Sequence, residues 1–351
     1  MRYDSSVPLN GSFATVRVAI GIAVSAACLA IAFRNADLAA LGESLKKANY
    51  WWLLAYPVLA IVLNLIRGEV WRILLKRQCR LLPAFWAYCV GFLFNNVLPL
   101  RIGEAARIVM LARQERIPAV EVAVTAGLER ILDLAAVLVV LACTLPVVGI
   151  GVGAARYGAL LAIAVVLTCL LGIYVLGRWE GWFETQVVRV AAMAGPGASV
   201  WVVRLWRRLA EGLSRLLQPS IGLPAFGGIL MVWSVTILAQ WTVLRAFQPQ
   251  ASLLEAAFMV VVVSLAIAVP AAPGFVGVYQ WAGQQALAGA FPDVYTPASG
   301  LAIALTAHAV SYLLGTVLGV LGLWYFGASF NLLGTRLRGA PTMLGEDSRV
   351  G

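Results

Sequence analysis

Charged residues inside apolar stretches are the first feature of this sequence that could do chemistry. Arg67 lies in the apolar segment 51–75, and Glu129, Arg130 and Asp133 lie together in a later one. Insertion scales put the cost of one such charge at ~2.5–3.5 kcal/mol, so each charge is expected to face a cavity or a partner. Glu129 and Asp133 are four residues apart and share one face of a helix, whereas Arg130 is placed to reach a neighbouring helix.

A second group of polar residues surrounds an interruption in another apolar run. Pro99 is flanked by polar and charged residues, namely Asn95, Asn96, Arg101, Glu104 and Arg107. Proline removes a backbone donor and disfavours a continuous helix, so a break is predicted here. Backbone amides exposed at a break, together with the fork of an arginine, are suited to binding a phosphate group.

Two interpretations of these charges are open. They could pair with one another and fix the packing of the helices, or they could bind an anionic ligand. Binding is favoured for Arg101, Glu104, Glu129 and Arg130, and both interpretations stay open for Asp133. The sequence has no nucleotide-binding loop, serine-hydrolase elbow, zinc-protease motif or Cys-x-x-Cys pair, so no catalytic residue, metal or cofactor is predicted.

The composition places these residues in a membrane. Hydrophobic residues make up 62% of the 351 positions and charged residues 12%, with a mean hydropathy of +0.89. Soluble domains contain about 25% charged residues, which excludes an ordinary soluble protein. The net charge of +10 would suggest nucleic acid in a soluble protein, but here most basic residues flank apolar runs, where they set topology and meet anionic headgroups. No nucleic-acid partner is predicted.

Segment lengths predict an all-α polytopic membrane protein. Six segments are expected to be full spans, at about 15–33, 51–75, 120–147, 157–177, 223–247 and 298–327. Two further stretches, 84–113 and 252–290, are interrupted by proline and glycine and are expected to be re-entrant hairpins. Eight or nine complete spans are the alternatives. The hairpin arrangement puts both termini and most of the 26 Lys and Arg residues inside, as the positive-inside rule favours.

The second interruption contains Pro270, Pro273 and Gly274. Pro270 and Gly274 have the same spacing as Pro99 and Gly103, and an apolar run precedes each pair. In the hairpin arrangement the two runs enter from opposite sides. An inverted repeat is therefore a further expectation, with the binding site where the broken helices meet, as in secondary transporters.

The predicted domain organisation is simple. Residues 1–330 form one transmembrane domain, and 331–351 form a flexible cytoplasmic tail. Within the domain, 178–222 is a cytoplasmic amphipathic segment with a basic helix. That helix is expected to lie either on the inner membrane surface or against the loops of the bundle.

Three short segments carry a resemblance to a known family. They are Asn-Asn-Val-Leu-Pro-Leu-Arg-Ile-Gly-Glu at 95–104, Leu-Glu-Arg-Ile-Leu-Asp at 128–133 and Pro-Ala-Ala-Pro-Gly-Phe-Val-Gly at 270–277. Together they resemble the lysylphosphatidylglycerol synthase transmembrane-domain family, also called flippase-like, over roughly 15–327. The resemblance implies a polytopic protein of the bacterial inner membrane that moves a lipid between leaflets. Family members often have an acidic residue where this chain has Tyr279 and Gln280.

The synthase activity is not expected here. In two-part synthases of that family, a soluble C-terminal domain transfers lysine from charged tRNA to phosphatidylglycerol, and this chain has no room for such a domain. A lipid translocase, and not an enzyme, is therefore expected. Its substrate would be an anionic phospholipid or lipid-linked headgroup, bound by Arg101, Arg130 and Arg67, while Glu104 and Glu129 would hold those arginines or couple to protons.

Two alternatives from other functional classes stay open. One is a membrane-embedded transferase that acts on lipid-linked substrates. The other is a non-transporting partner of a separate lipid-modifying enzyme. A bound lipid would favour transport, and a bound donor nucleotide would favour the transferase.

Overall fold

The computed structural model describes residues 11–34, 36–146, 148, 168, 172, 175, 178–193, 196–268 and 271–338. Within these residues there are helices and turns and no strand, so the all-α prediction is confirmed. Apart from the single positions just named, the predicted span 157–177 lies outside the described residues, and so does Pro270.

Twelve α-helices follow one another in the described residues. They are α1 (Gly11–Arg34), α2 (Leu38–Lys47), α3 (Ala55–Leu74), α4 (Leu81–Val97), α5 (Gly103–Glu115), α6 (Ala119–Thr144), α7 (Glu180–Ala192), α8 (Pro196–Leu216), α9 (Pro219–Phe247), α10 (Leu253–Ala266), α11 (Val278–Gln284) and α12 (Pro297–Arg338). A 3₁₀ turn at Tyr50–Leu54 leads into α3, and a π-helical turn at Gln285–Gly289 follows α11.

Several of these helices have the length and composition of membrane spans. In the described residues, three segments are long and apolar enough, namely Tyr50–Leu74, Pro219–Phe247 and Pro297–Gly327. The bent pair α1 and α2, with 86° between its helices, is a fourth if it is one span. α6 has 26 residues, about 39 Å at 1.5 Å per residue, which is enough to cross the ~30 Å hydrocarbon core.

Both interrupted stretches reverse direction at their breaks. α5 returns along α4 so closely that a Cβ atom on Gly103 would overlap the carbonyl oxygen of Gly91. α11 likewise returns along α10, where a Cβ atom on Gly283 would lie 2.8 Å from the Met259 Cε atom. Glycine at such positions lets two backbones approach. These reversals exclude a single straight span through either stretch, and the re-entrant character of the two hairpins stays a prediction.

The two breaks share two features of local structure. Each is a 3₁₀ turn that begins at a proline, Pro99–Arg101 in the first break and Pro273–Phe275 in the second. The third residue of each turn is left-handed, with φ of 55° at Arg101 and 59° at Phe275. Residues other than glycine rarely adopt this backbone conformation, so its recurrence at matched positions supports the expected repeat.

The register of the repeat differs from the prediction. The structure matches Pro99 with Pro273, whereas the sequence spacing matched it with Pro270. Pro273 and Gly277 have the same P-x-x-x-G spacing, and Gly277 precedes α11 much as Gly103 begins α5. The second break contains this spacing twice, so spacing alone does not select the register.

The basic amphipathic helix packs on the bundle. A Cβ atom on Gly212 of α8 would lie 2.9 Å from Val124 Cγ1 and 3.1 Å from Leu128 Cδ1 of α6. Arg215 Nη1 lies 3.6 Å from Glu121 Oε1 of the same helix. This face of α8 therefore packs on a helix of the bundle and not on its loops, and the position of the segment at the inner membrane surface stays a prediction.

Candidate functional site

A buried ion-pair network lies where α3, α4, α5 and α6 meet. At its centre is Glu129, whose side chain is 0% exposed. Its Oε1 atom lies 2.9 Å from Nη1 of Arg67, and its Oε2 atom lies 2.9 Å from Nη1 of Arg107. The Tyr88 hydroxyl also donates to Oε2. A carboxylate buried in this way is tolerated because charged and polar partners surround it.

Asp133 extends the network by one turn of α6. Its Oδ2 atom lies 3.2 Å from Nη1 of Arg67 and 3.0 Å from Nη1 of Arg130. The indole N–H of Trp233, from α9, donates to Oδ1 at 3.2 Å. Glu129 and Asp133 both accept from Arg67, so the prediction that they share one helix face is confirmed.

Glu104 joins α5 to α6 at the other side of the network. Its Oε1 atom lies 2.6 Å from Nη2 of Arg130, and its Oε2 atom accepts from Nε of Arg107 at 2.8 Å. Arg130 therefore reaches a neighbouring helix, as its position beside Glu129 and Asp133 predicted. The structure brings Glu104, Glu129 and Arg130 together although they are distant in sequence.

The network is neutral, and one end of it is open. Three arginines, at positions 67, 107 and 130, face three carboxylates, at positions 104, 129 and 133. The exposed fraction of the side chain is 2% for Arg107 and 13% for Arg67, but 37% for Glu104 and 50% for Arg130. The closed end fits the pairing interpretation, and the open end leaves donors accessible to a ligand.

Arg107 was grouped with the charges around the first break but was not among the predicted binding residues. The structure buries it between two aromatic rings. Its guanidinium carbon lies 4.7 Å from the Trp71 ring centroid and 4.6 Å from the Tyr88 ring centroid. Its position three residues after Glu104, on the same face of α5, is the available sequence signal.

Arg101 connects the open end of the network to the second break. Its guanidinium donates to the carbonyl oxygen of Ile267, just after α10, and lies 5.4 Å from the ring centroid of Phe275. The charges of Arg130 and Glu104 are close enough to act on it. Arg101 therefore stands between the network and the second break. Because its side chain is exposed, its donors are still accessible.

The two asparagines of the first break are engaged by the fold. Asn95 Oδ1 accepts from the backbone N–H of Gly103 at 2.9 Å, which caps the first turn of α5. Asn96 Nδ2 donates to the carbonyl oxygen of Tyr312 and to Oγ1 of Thr316, both at 3.1 Å, in α12. Their contribution to ligand binding stays a prediction, and their structural role is to hold the break in place.

The second break packs directly against the first. Gly274 has a left-handed φ of 67°, and a Cβ atom there would lie 2.6 Å from Tyr312 Cε2 and 3.2 Å from the carbonyl oxygen of Asn96. Glycine is therefore required by both conformation and space. Pro273 begins this turn, and Pro270 lies outside the described residues. The breaks meet, as the repeat predicted.

A comparison with protein families identifies the family of this chain. Neither the curated proteins nor the solved structures gave a match. A family model described as the lysylphosphatidylglycerol synthase TM region matches residues 18–319, which contain both breaks and the whole ion-pair network. The match covers most of the chain and agrees with the likeness of the three short segments. The chain belongs to the lysylphosphatidylglycerol synthase transmembrane-region family.

Proposed function

We propose that this protein is a lipid translocase that moves an anionic phospholipid or lipid-linked headgroup between the leaflets of a membrane. Its family indicates a membrane protein of lipid metabolism or translocation. The observation that carries the narrower proposal is the position of Arg101 and Arg130. Both are exposed, and both stand at the open end of the ion-pair network where the two breaks meet.

The charge at this place favours an anion. The six-residue network is balanced, because each of its arginines faces carboxylates. Arg101 adds a positive charge, and no carboxylate among the described residues forms an ion pair with it. A phosphate offers acceptor oxygens only, and it suits the planar fork of one or two arginines.

The buried part of the network supports the site without touching lipid. Arg67 spans Glu129 and Asp133, and Arg107 spans Glu129 and Glu104. These bonds fix α3 and α5 against α6 and hold Arg130 at the rim. In this proposal Arg67 positions the site, and proton coupling through Glu104 or Glu129 remains a separate prediction.

The broken helices provide a route for the polar headgroup. Irregular backbone at membrane depth is tolerated where protein or a wet cavity covers it. A headgroup would pass beside the two 3₁₀ turns while its acyl chains stay in the bilayer. The proposed location is the bacterial inner membrane, with both termini cytoplasmic.

Reconstitution tests this proposal directly. Purified protein would be placed in vesicles that contain a fluorescent phosphatidylglycerol, and the rate of leaflet exchange would be compared with that of protein-free vesicles. Faster exchange supports translocation. Exchange at the protein-free rate contradicts it, and a tightly bound donor nucleotide in the purified protein would favour a transferase instead.

A further inference from the structure

A second cation, far from the ion-pair network, lies against two aromatic rings. The guanidinium carbon of Arg245, near the end of α9, lies 5.6 Å from the Trp52 ring centroid and 4.8 Å from the Trp241 ring centroid. Among the described residues Arg245 has no ion pair and no hydrogen bond, and its Nε atom is buried without a partner. Buried donors normally find acceptors, so this one lacks an expected partner.

The two rings differ in the hydrogen bonding of their indole N–H groups. The indole N–H of Trp241 donates to the carbonyl oxygen of Ala251 at 2.9 Å, which fixes that ring. Trp52 meets it edge to face, with 5.7 Å between the centroids. Trp52 is 38% exposed, and in the described part of the chain its indole N–H has no acceptor. A ring whose N–H is free therefore lies within 5.6 Å of the guanidinium carbon, measured to the ring centroid.

The packing of α3 against α9 shows which end of the bundle this is. The helices run antiparallel, since Gly228 packs on Val70 while the backbone N–H of Asn49 donates to the carbonyl oxygen of Ala246 at 2.7 Å. Arg245 therefore lies beside the start of α3, at the end opposite to the basic loop at 76–80. It is twelve positions beyond Trp233 in α9, a rise of about 18 Å at 1.5 Å per residue, so it is distant from the network.

The surroundings match the depth of lipid headgroups. Tyr50 and Trp51 immediately precede Trp52 and are exposed, Trp51 by 79%. Tyrosine and tryptophan concentrate at the membrane–water interface, where one side of the ring is apolar and the other is wet. A lipid phosphate lies at this depth.

We propose that Arg245 and the indole N–H of Trp52 bind the phosphodiester group of a phospholipid in the leaflet at this end of the bundle. The phosphate would accept from the Nη atoms of the guanidinium, which unlike Nε are not buried without a partner, and from the indole N–H. This site goes beyond the proposed function, because it would bind lipid whether or not the protein moves lipid between leaflets.

Lipid titration with detection by native mass spectrometry tests the site. Delipidated wild-type protein in detergent would be titrated with phosphatidylglycerol, beside the variants Arg245→Gln and Trp52→Phe. Arg34→Gln is the matched control, since it removes an exposed cation whose neighbour Phe33 packs near Phe247 at the same end. Arg101→Gln probes the other site, so a failure of one site is distinguished from a failure of the other.

The expected result is that Arg245→Gln weakens the affinity for one tightly bound lipid by about tenfold or more, as for loss of a charge-assisted hydrogen bond. Trp52→Phe keeps a ring but loses the N–H, and it should weaken the same lipid by a smaller factor. Arg34→Gln should leave the affinity unchanged. Wild-type binding by both Arg245→Gln and Trp52→Phe would overturn the proposal, and so would displacement of the lipid by millimolar inorganic phosphate, which would assign the site to a free anion. If Arg245→Gln does not fold, Trp52→Phe decides alone.

Discussion

Arg101 lays its guanidinium over the ring of Phe275, with 5.4 Å between the guanidinium carbon and the ring centroid. The two residues occupy the third position of matching 3₁₀ turns, and both are left-handed. The corresponding residues of the two breaks thus touch each other. A left-handed conformation costs a non-glycine residue about 1–2 kcal/mol, so the surrounding contacts must maintain it in both turns.

The first prediction concerns the centre of the ion-pair network. Arg107→Met removes the guanidinium that lies between Glu104 and Glu129 and leaves the buried carboxylate of Glu129 with one arginine fewer. Breaking a buried pair costs about 3–5 kcal/mol. We expect the purified variant to unfold at a clearly lower temperature in detergent, measured by fluorescence-detected size exclusion.

Arg113→Met is the control for that experiment, because Arg113 is exposed on the same helix. The double variant Arg107→Met/Glu129→Gln should recover part of the lost unfolding temperature, since it also removes the buried negative charge of Glu129. If Arg107→Met melts like Arg113→Met, the network does not stabilise the fold.

A second prediction tests the close approach of α4 and α5. A Cβ atom on Gly103 would overlap the Gly91 carbonyl oxygen and lie 2.5 Å from Asn95 Oδ1. Gly103→Ala should therefore force the hairpin apart and lower the yield of folded protein. Gly127→Ala is the matched control, because in α6 nothing lies within 4 Å of the added atom. Equal folding of the two variants would show that the hairpin does not need this contact.

A third prediction concerns Cys79, in the loop between α3 and α4. Burial, with a smaller contribution from the Glu115 carboxylate, raises the pKa of the Cys79 thiol to about 12. The thiolate is the reactive form, so at pH 8 only about 10⁻⁴ of this thiol is reactive, against about a quarter for an ordinary thiol of pKa ~8.5. Reactivity should rise with pH and approach that of a free thiol only near pH 12.

Maleimide labelling checks this on protein in which the other four cysteines are replaced. The comparison is Gln78→Cys/Cys79→Ser, which moves the thiol to an exposed neighbouring position. Labelling of Cys79 at the rate of position 78, at pH 8, would be inconsistent with a buried thiol.

Topology provides a fourth prediction. Gln78 and Gln250 are exposed at opposite ends of the antiparallel helices α3 and α9. Because basic residues surround Gln78, we expect that end inside, together with both termini. In cysteine-free protein in intact cells, an impermeant reagent should label Gln250→Cys and spare Gln78→Cys and Ser6→Cys. The reverse pattern would invert the predicted orientation.

The parts of the site that lie on one helix could be predicted from the sequence. The spacing of Glu129 and Asp133 fixes a shared face, and the structure shows Arg67 paired with both. The burial of Arg107 was not predicted, because it depends on Trp71 and Tyr88, which come from two other helices. Sequence spacing does not describe such tertiary contacts.

The second break shows the same limit. Two overlapping P-x-x-x-G patterns match the spacing of Pro99 and Gly103 equally well, and the structure follows the one that begins at Pro273. Gly277 has φ of 90°, and a Cβ atom there would overlap the carbonyl oxygen of Ser25 in α1. A distant helix therefore requires glycine at this position, and no local pattern identifies that helix.

Leaflet exchange by Arg101→Ala, Arg130→Ala and the double variant is the most direct test of the proposed translocation. Both side chains are exposed, so the variants should still fold, and Arg113→Ala serves as the matched surface control. Loss of an arginine–phosphate contact worth ~1.5–3 kcal/mol should slow exchange of labelled phosphatidylglycerol by about tenfold or more, since ~1.4 kcal/mol corresponds to a factor of ten. We predict slow exchange for each single variant and slower exchange still for the double variant. Lipid exchange at the wild-type rate by the folded double variant would contradict a headgroup site at the junction of the two breaks.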